Sequence, residues 1–220
     1  MATLFLIRHG LTAQTGKILY GRTAGVELDR RGRAQADDLA RRFEDVALTA
    51  VYSSPLERCV QTVEPLAAAR RLTVRPTEGL LEMDAGSWTG RSLARLRRSK
   101  DWATVQRHPS AFVFPGGGEA FEAAQARAVA EVRRIAGRHP RGRVAIASHG
   151  DIIRLVAAHF LGTPLDAFQS IVIDTAAVSV LAMQGGRGHV LLLNDTGGLW
   201  RFATHPTPPW EAASSADLRG

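Results

Sequence analysis

Short apolar runs alternate with amphipathic stretches along most of this chain, and that alternation limits its fold more than any other feature. TLFLIR (3–8), LTAVYSS (48–54), LTVRP (72–76) and GRVAIAS (142–148) read as buried strands. Between and after them lie helical patterns. LDRRGRAQADDLARRF (28–43) carries Ala34, Leu39 and Phe43 near helical spacing, with Asp29 placed to cap it. LERCVQTVEPLAAARR (56–71) holds Pro65 as a kink, residues 118–138 give the longest helical pattern, and 151–161 a further one. AVSVLAM (177–183) and HVLLLN (189–194), separated by QGGRG, read as an antiparallel hairpin. The resulting order, β-α-β-α-β-α-β-α-β-β, predicts an α/β fold: a three-layer sandwich whose mainly parallel central sheet has helices on both faces. A chain of 220 residues can bury such a core as one domain. We place the domain at 1–202, and the Pro-, Ser- and Ala-rich stretch 203–220 is expected to be a disordered tail.

Composition narrows the function classes. An apolar fraction of 45% and a charged fraction of 22% are those of a soluble globular protein. No run approaches the ~20 apolar residues of a membrane helix, so no membrane partner is expected. The start, MATLFLIRHG, turns polar too soon for a signal peptide, which predicts a cytoplasmic protein. Cys59 stands alone, excluding an internal disulfide and a cysteine metal site. The net charge of +7 is carried almost wholly by Arg, with Lys only at 17 and 100. A GC-rich genome writing Arg for Lys explains this first, an anionic small substrate second, and nucleic acid last. The densest basic cluster, Arg91 to Arg107, comes with no nucleic-acid motif and no interleaved aromatic series.

Within this frame two histidines are unusual. LFLIRHG (4–10) and VAIASHG (144–150) each run an apolar strand into a His-Gly pair. A single histidine at such a place is more often structural than reactive. Two of them, both past the ends of predicted parallel strands where α/β folds collect ligands, favour an active site. Arg8, Arg58 in SSPLERC, Glu82 in LLEMDAGSWTG and Gly150 add polar or open positions near strand ends. A phosphoryl group accounts for the set, since its oxygens suit guanidinium and imidazole donors. An unprotonated histidine is a competent phosphoryl nucleophile. Flanking arginines would hold His9 neutral, and a carboxylic acid could protonate the leaving oxygen. Glu82, between Leu80-Leu81 and a Gly-containing turn, suits a partly buried acid of raised pKa as well as it suits a plain loop carboxylate. Other chemistries fail on spacing. Pro65 occupies the position where a cysteine phosphatase needs Arg after Cys59, and PGGGEAF (115–121) lacks the Lys-Ser/Thr of a nucleotide-binding P-loop. Histidines 108, 139, 159, 189 and 205 show no paired ligand spacing, so neither a metal nor another cofactor is expected.

RHGLT (8–12), LDRRGRAQA (28–36), SSPLERCVQT (53–62), EMDAGSWTG (82–90), PGGGEAF (115–121) and SHG (148–150) resemble, in order, the landmarks of the histidine phosphatase superfamily, the phosphoglycerate mutase-like group. The segment 168–197 is similar to a bacterial, phosphomutase-like branch of it. The resemblance implies a phosphoglycerate mutase-like fold, His9 as the phosphorylated nucleophile, Arg8, Arg58 and His149 as the phosphate pocket, and Glu82 as proton donor. It also implies substrate contacts from Thr15, Gly21, Arg22 and Gly150. Two positions depart from the pattern: Leu11 replaces a customary Glu, and Thr15 a customary Asn. The function expected is metal-independent phosphomonoester hydrolysis through a phosphohistidine. The alternatives are a phosphoglycerate mutase-type phosphomutase and a non-catalytic phosphate-binding regulator. A regulator should have lost His9, His149 or Glu82, and all are present. The partners expected are a small phosphorylated metabolite and, at most, a second copy of the chain, with residues 91–114 as the lid over the pocket.

Overall fold

In a computed structural model, which describes residues 1–197, the elements run β1 (Ala2–Arg8), β2 (Ile18–Leu19), α1 (Arg30–Arg42), β3 (Ala50–Ser53), α2 (Glu57–Ala69), β4 (Val74–Pro76), β5 (Arg91–Ser92), α3 (Leu93–Leu96), α4 (Lys100–Arg107), α5 (Phe121–Arg138), β6 (Arg143–Ser148), α6 (Gly150–Leu161), β7 (Val178–Gln184) and β8 (Arg187–Asp195). The main sheet has six strands in the order β4-β3-β6-β1-β7-β8. Neighbours from β4 to β1 are parallel, and β7 and β8 are antiparallel additions.

Period-2 alternation along β1 divides the core. Phe5 and Ile7 pack with Leu39 and Phe43 near α1 and with Cys59 and Val63 of α2. Leu4 and Leu6 face the opposite way, toward Ala128 and Val132 of α5 and Ile152 and Val156 of α6. Both sheet faces are therefore covered, which gives the three-layer sandwich expected of strands apolar on both sides.

Chain order explains where the functional residues gather. From β1 the chain runs outward through α1 and α2 on one face, then returns through α5 on the other and inserts β6 beside β1. Right-handed crossovers in opposite directions require opposite faces. Thus α1 leaves β1 on one side of the sheet and α6 leaves β6 on the other. A crevice opens at the carboxyl ends of these neighbours, the switch point at which α/β folds bind ligands. Arg8 and Ser148 are register partners at that end, so His9 and His149 emerge side by side.

Several local expectations change. The buried stripe of α1 is Gly32, Ala36 and Leu39, continued by Phe43, and Ala34 is exposed. Steps of four, three and four keep this stripe on one face, whereas Ala34 lies outside it. Asp29 does cap α1, its carboxylate accepting from Gly32 N–H at 2.8 Å. Pro65 lies inside α2, which continues through it to Ala69. The hairpin strands reach further than their apolar cores, leaving Gly185-Gly186 between them, both at positive φ. The sequence reading missed β2, β5, α3 and α4, which are too short to show periodicity. Among the described residues no helix is long and apolar enough to cross a membrane. The tail expected at 203–220 lies outside the described residues.

Candidate active site

His9 follows the last residue of β1. Its backbone N–H bonds to Ser148 O at 2.9 Å, and its side chain is almost fully buried. Nδ1 lies 2.8 Å from Gly10 O. A carbonyl can only accept, so Nδ1 carries the proton and Nε2 keeps its lone pair. Gly10 N–H donates to Thr62 Oγ1, and that hydroxyl donates to Arg58 O, which ties the loop to α2. Close approach also requires glycine in α1: a Cβ on Gly32 would lie 2.0 Å from Leu11 O. The imidazole pKa is pushed down to about 3, first by burial and then by the Arg58 charge, with Arg8 a smaller contributor. Arginines alone were expected to keep His9 neutral; loss of water does more.

His149, fully buried, precedes α6 and stacks edge-on to His9 with ring centroids 5.4 Å apart. Its Nε2 is 2.9 Å from Ser54 Oγ, and its Nδ1 lies 3.4 Å from an Arg58 Nη and 3.9 Å from Glu82 Oε2. Burial, reinforced by Arg58 and His9, holds its pKa well below the ordinary value. With Arg58 donating to Nδ1, the neutral ring donates from Nε2 to Ser54.

Arg58 is also fully buried, under the Tyr20 ring (4.6 Å from guanidinium carbon to centroid), and donates to Gly21 O and Thr23 O. Arg8 donates to Ile173 O at 2.6 Å and packs on Gly150, whose missing Cβ would sit 3.1 Å from Arg8 Nε. Among the described residues the buried Nε atoms of both arginines have no hydrogen-bond partner. Two guanidinium donors beside His9 thus retain unused capacity for an acceptor.

Glu82 stands across the cleft, half-buried, with Oε1 accepting from Met83 N–H at 3.0 Å. Burial, and then the charge of Asp151, raise its pKa to about 7, against the opposing pull of the Met83 N–H and of Arg58 and Arg8. The carboxyl therefore still carries its proton in about half of the molecules at neutrality and in most of them below it.

These groups border a cleft of about 350 Å³ lined by Arg8, His9, Thr15, Tyr20, Glu82 and Gly150, among others. Its outer wall includes Leu93 and Arg97, Trp102 of α4, and Phe114. The structure brings together His9, Arg8, Glu82, Thr15, Gly21 and Gly150 as cleft lining, with Arg58 and His149 directly beneath. Thr15 Oγ1 also bonds Thr12, accepting from its N–H at 3.0 Å. Arg22 is placed differently from the substrate contact expected. It is not among the residues lining the cleft and donates to Glu82 O at 2.8 Å and Glu119 Oε2 at 3.0 Å. Tyr20, Ser54, Asp151, Glu119 and Arg127 were missed. Ser54 and Glu119 lie inside quoted motifs and Tyr20 adjoins Gly21, but only the fold shows what they touch. Among the described residues no group of three or more His, Cys, Asp or Glu could hold a metal ion.

Comparisons with known proteins show the family and the fold. The family model for the histidine phosphatase superfamily (branch 1) matches residues 4–196. Phosphoserine phosphatase 1 of Hydrogenobacter thermophilus is 29% identical over 92% of this chain and 96% of its own length. The adenosylcobalamin/alpha-ribazole phosphatase of Escherichia coli is 28% identical over 81% of this chain and 88% of its own. The structure of Bacillus stearothermophilus YhfR superposes with a TM-score of 0.83 at 30% identity, covering 90% of this chain and 98% of that one.

Proposed function

The chain belongs to the histidine phosphatase superfamily (branch 1), and we propose that it hydrolyses small phosphomonoesters through a phosphohistidine on His9, without a metal ion. The observation that carries this reading is the pairing, in one cleft, of a neutral imidazole with its lone pair on Nε2 and a carboxyl that keeps its proton to about pH 7. In the first step His9 Nε2 attacks phosphorus in line, the ester P–O bond breaks, and the departing oxygen takes the Glu82 proton. In the second, the Glu82 carboxylate takes a proton from water as its oxygen attacks the phosphohistidine; inorganic phosphate leaves and both side chains return to their starting states. Arg8 from the wall, and Arg58 and His149 from beneath, supply the positive and hydrogen-bonding surroundings for the phosphoryl oxygens.

Relatives named as phosphatases support hydrolysis as the outcome. The size of the cleft and the presence of Arg97 in its wall support a small substrate with negative charge. A panel of phosphorylated metabolites, incubated with the purified protein in EDTA, tests the reading. Release of one inorganic phosphate per ester consumed, blocked by orthovanadate, is expected. Activity that disappears in chelator and returns with Mg²⁺ contradicts the metal-free mechanism. Conversion of the ester to a positional isomer would indicate phosphoryl return, as in a mutase.

A further inference from the structure

Glu82 lies on irregular backbone between the turns 78–80 and 86–88, outside any sheet or helix. Carbonyls there need partners from elsewhere, and unsupported loops move. Two arginines from distant segments provide them. Arg127 of α5 donates one Nη to both Gly79 O and Leu81 O, each at 3.0 Å. Arg22 donates Nε to Glu82 O at 2.8 Å.

Both arginines converge on a single carboxylate, Glu119. It accepts Arg127 Nε on Oε1 and Arg127 Nη2 on Oε2, both at 2.9 Å, and Arg22 Nη2 on Oε2 at 3.0 Å. The same oxygen lies 3.4 Å from Asp84 N, and Glu119 N–H donates to Asp84 O at 2.8 Å. The Glu119 side chain is only 14% exposed. Bidentate geometry fixes the planes of both ions. The glycine turn 116–118 delivers Glu119 here: a Cβ on Gly118 would sit 2.7 Å from Asp84 O, so only a bare backbone can lie against this loop.

We propose that Glu119, acting through Arg22 and Arg127, is the positioning residue that aims the Glu82 carboxyl at the leaving oxygen. It touches neither the cleft nor His9. Its effect is to hold the carbonyls at 79, 81 and 82 in register, so that Glu82 cannot swing toward solvent. This rests on the reading of Glu82 as proton donor. Misplacing a catalytic group by about 1 Å can cost about 10²-fold in rate, and in the first step, which kcat/KM reports, that cost falls only on substrates needing the proton.

The test compares an alkyl phosphate, whose leaving group requires protonation, with an aryl phosphate, whose leaving group hardly does, in the wild type, Glu82→Gln, Glu119→Gln and Arg22→Gln. Glu119→Gln is expected to lower kcat/KM, which reports formation of the phosphohistidine, on the alkyl ester by about 10-fold or more and on the aryl ester by less than about 2-fold. It should also shift the alkaline limb of the alkyl profile, a readout that general loosening of the fold would not single out. Arg22→Gln, at a partly exposed side chain, should lose in the same selective way and serves if Glu119→Gln does not fold. Parallel loss on both esters, or no loss on either, overturns the positioning role while Glu82→Gln still separates them. If Glu82→Gln itself fails to separate the esters, the proton-donor assignment falls and this inference with it.

Discussion

His9 at the floor of the cleft, and Arg58 and His149 beneath it, are 2%, 0% and 0% exposed. Across it Arg97 is exposed, and Leu93 and Trp102 are half-buried on short elements. The floor is made from the ends of adjacent parallel strands, and its polar side chains bond to backbone and to one another. The wall is made from β5, α3 and α4, and Trp102 is anchored chiefly by stacking on Trp88 at 6.3 Å. A floor so fixed can orient reacting groups without reorganising at the moment of reaction. The wall has the looser construction of a region that selects what enters. On the proposed function, chemistry belongs to the floor and selectivity to the wall, and substitutions should separate them.

The largest effect is expected beneath the cleft. Arg58→Ala should lower kcat/KM by roughly 10²–10³-fold on every ester, since it removes a charged donor from beneath the reacting centre. Steady-state kinetics on a protein of unchanged circular dichroism checks this. An effect confined to one substrate would move Arg58 from the floor's role to the wall's.

Glu82 should show itself through pH. Glu82 is active when protonated, so turnover of an alkyl phosphate should be lost as pH rises through about 7; His9 is active when unprotonated, so it should also be lost as pH falls toward about 3. Alkyl and aryl esters both ionise near pH 6, so the ionisation of the phosphate group affects them alike. The alkaline limb should weaken with the aryl ester and vanish in Glu82→Gln.

At the wall, Trp102→Ala should change KM and the ranking among esters by about 10-fold while leaving kcat for an aryl phosphate nearly unchanged. Uniform loss of kcat would place Trp102 in the chemistry instead. The smallest effect belongs outside both regions: Arg41→Ala, whose exposed side chain pairs with Asp38, should stay within about 0.5 kcal/mol in stability and leave turnover unaltered.

This division also governs what could be read in the sequence. Strands buried on both faces announce themselves as apolar runs, so β1 and β6, and with them His9 and His149, were legible, as was the α/β class. Arg8, at the end of β1, and Glu82, in a loop between two short turns, were singled out from their motifs, and the structure brings both to the cleft. The partners of Arg22, Glu82 O and Glu119, lie 60 and 97 residues away and could not be read from the sequence, because an arginine's reach is not set by any sequence interval. The short wall elements escaped because two to eight residues show no usable period. The dominance of burial over arginine charge in depressing His9 was invisible for a different reason. Desolvation depends on how the whole crevice closes, and no local stretch encodes that.

The central claim is that His9 carries the phosphoryl group. Rapid acid-free quenching during turnover of a phosphorus-labelled substrate, followed by peptide mapping, measures this directly. Label on the peptide containing His9, stable in alkali, lost in acid as a P–N bond should be, and absent from His9→Ala, is the predicted result. Label on His149, or full turnover by His9→Ala without a labelled intermediate, would contradict it.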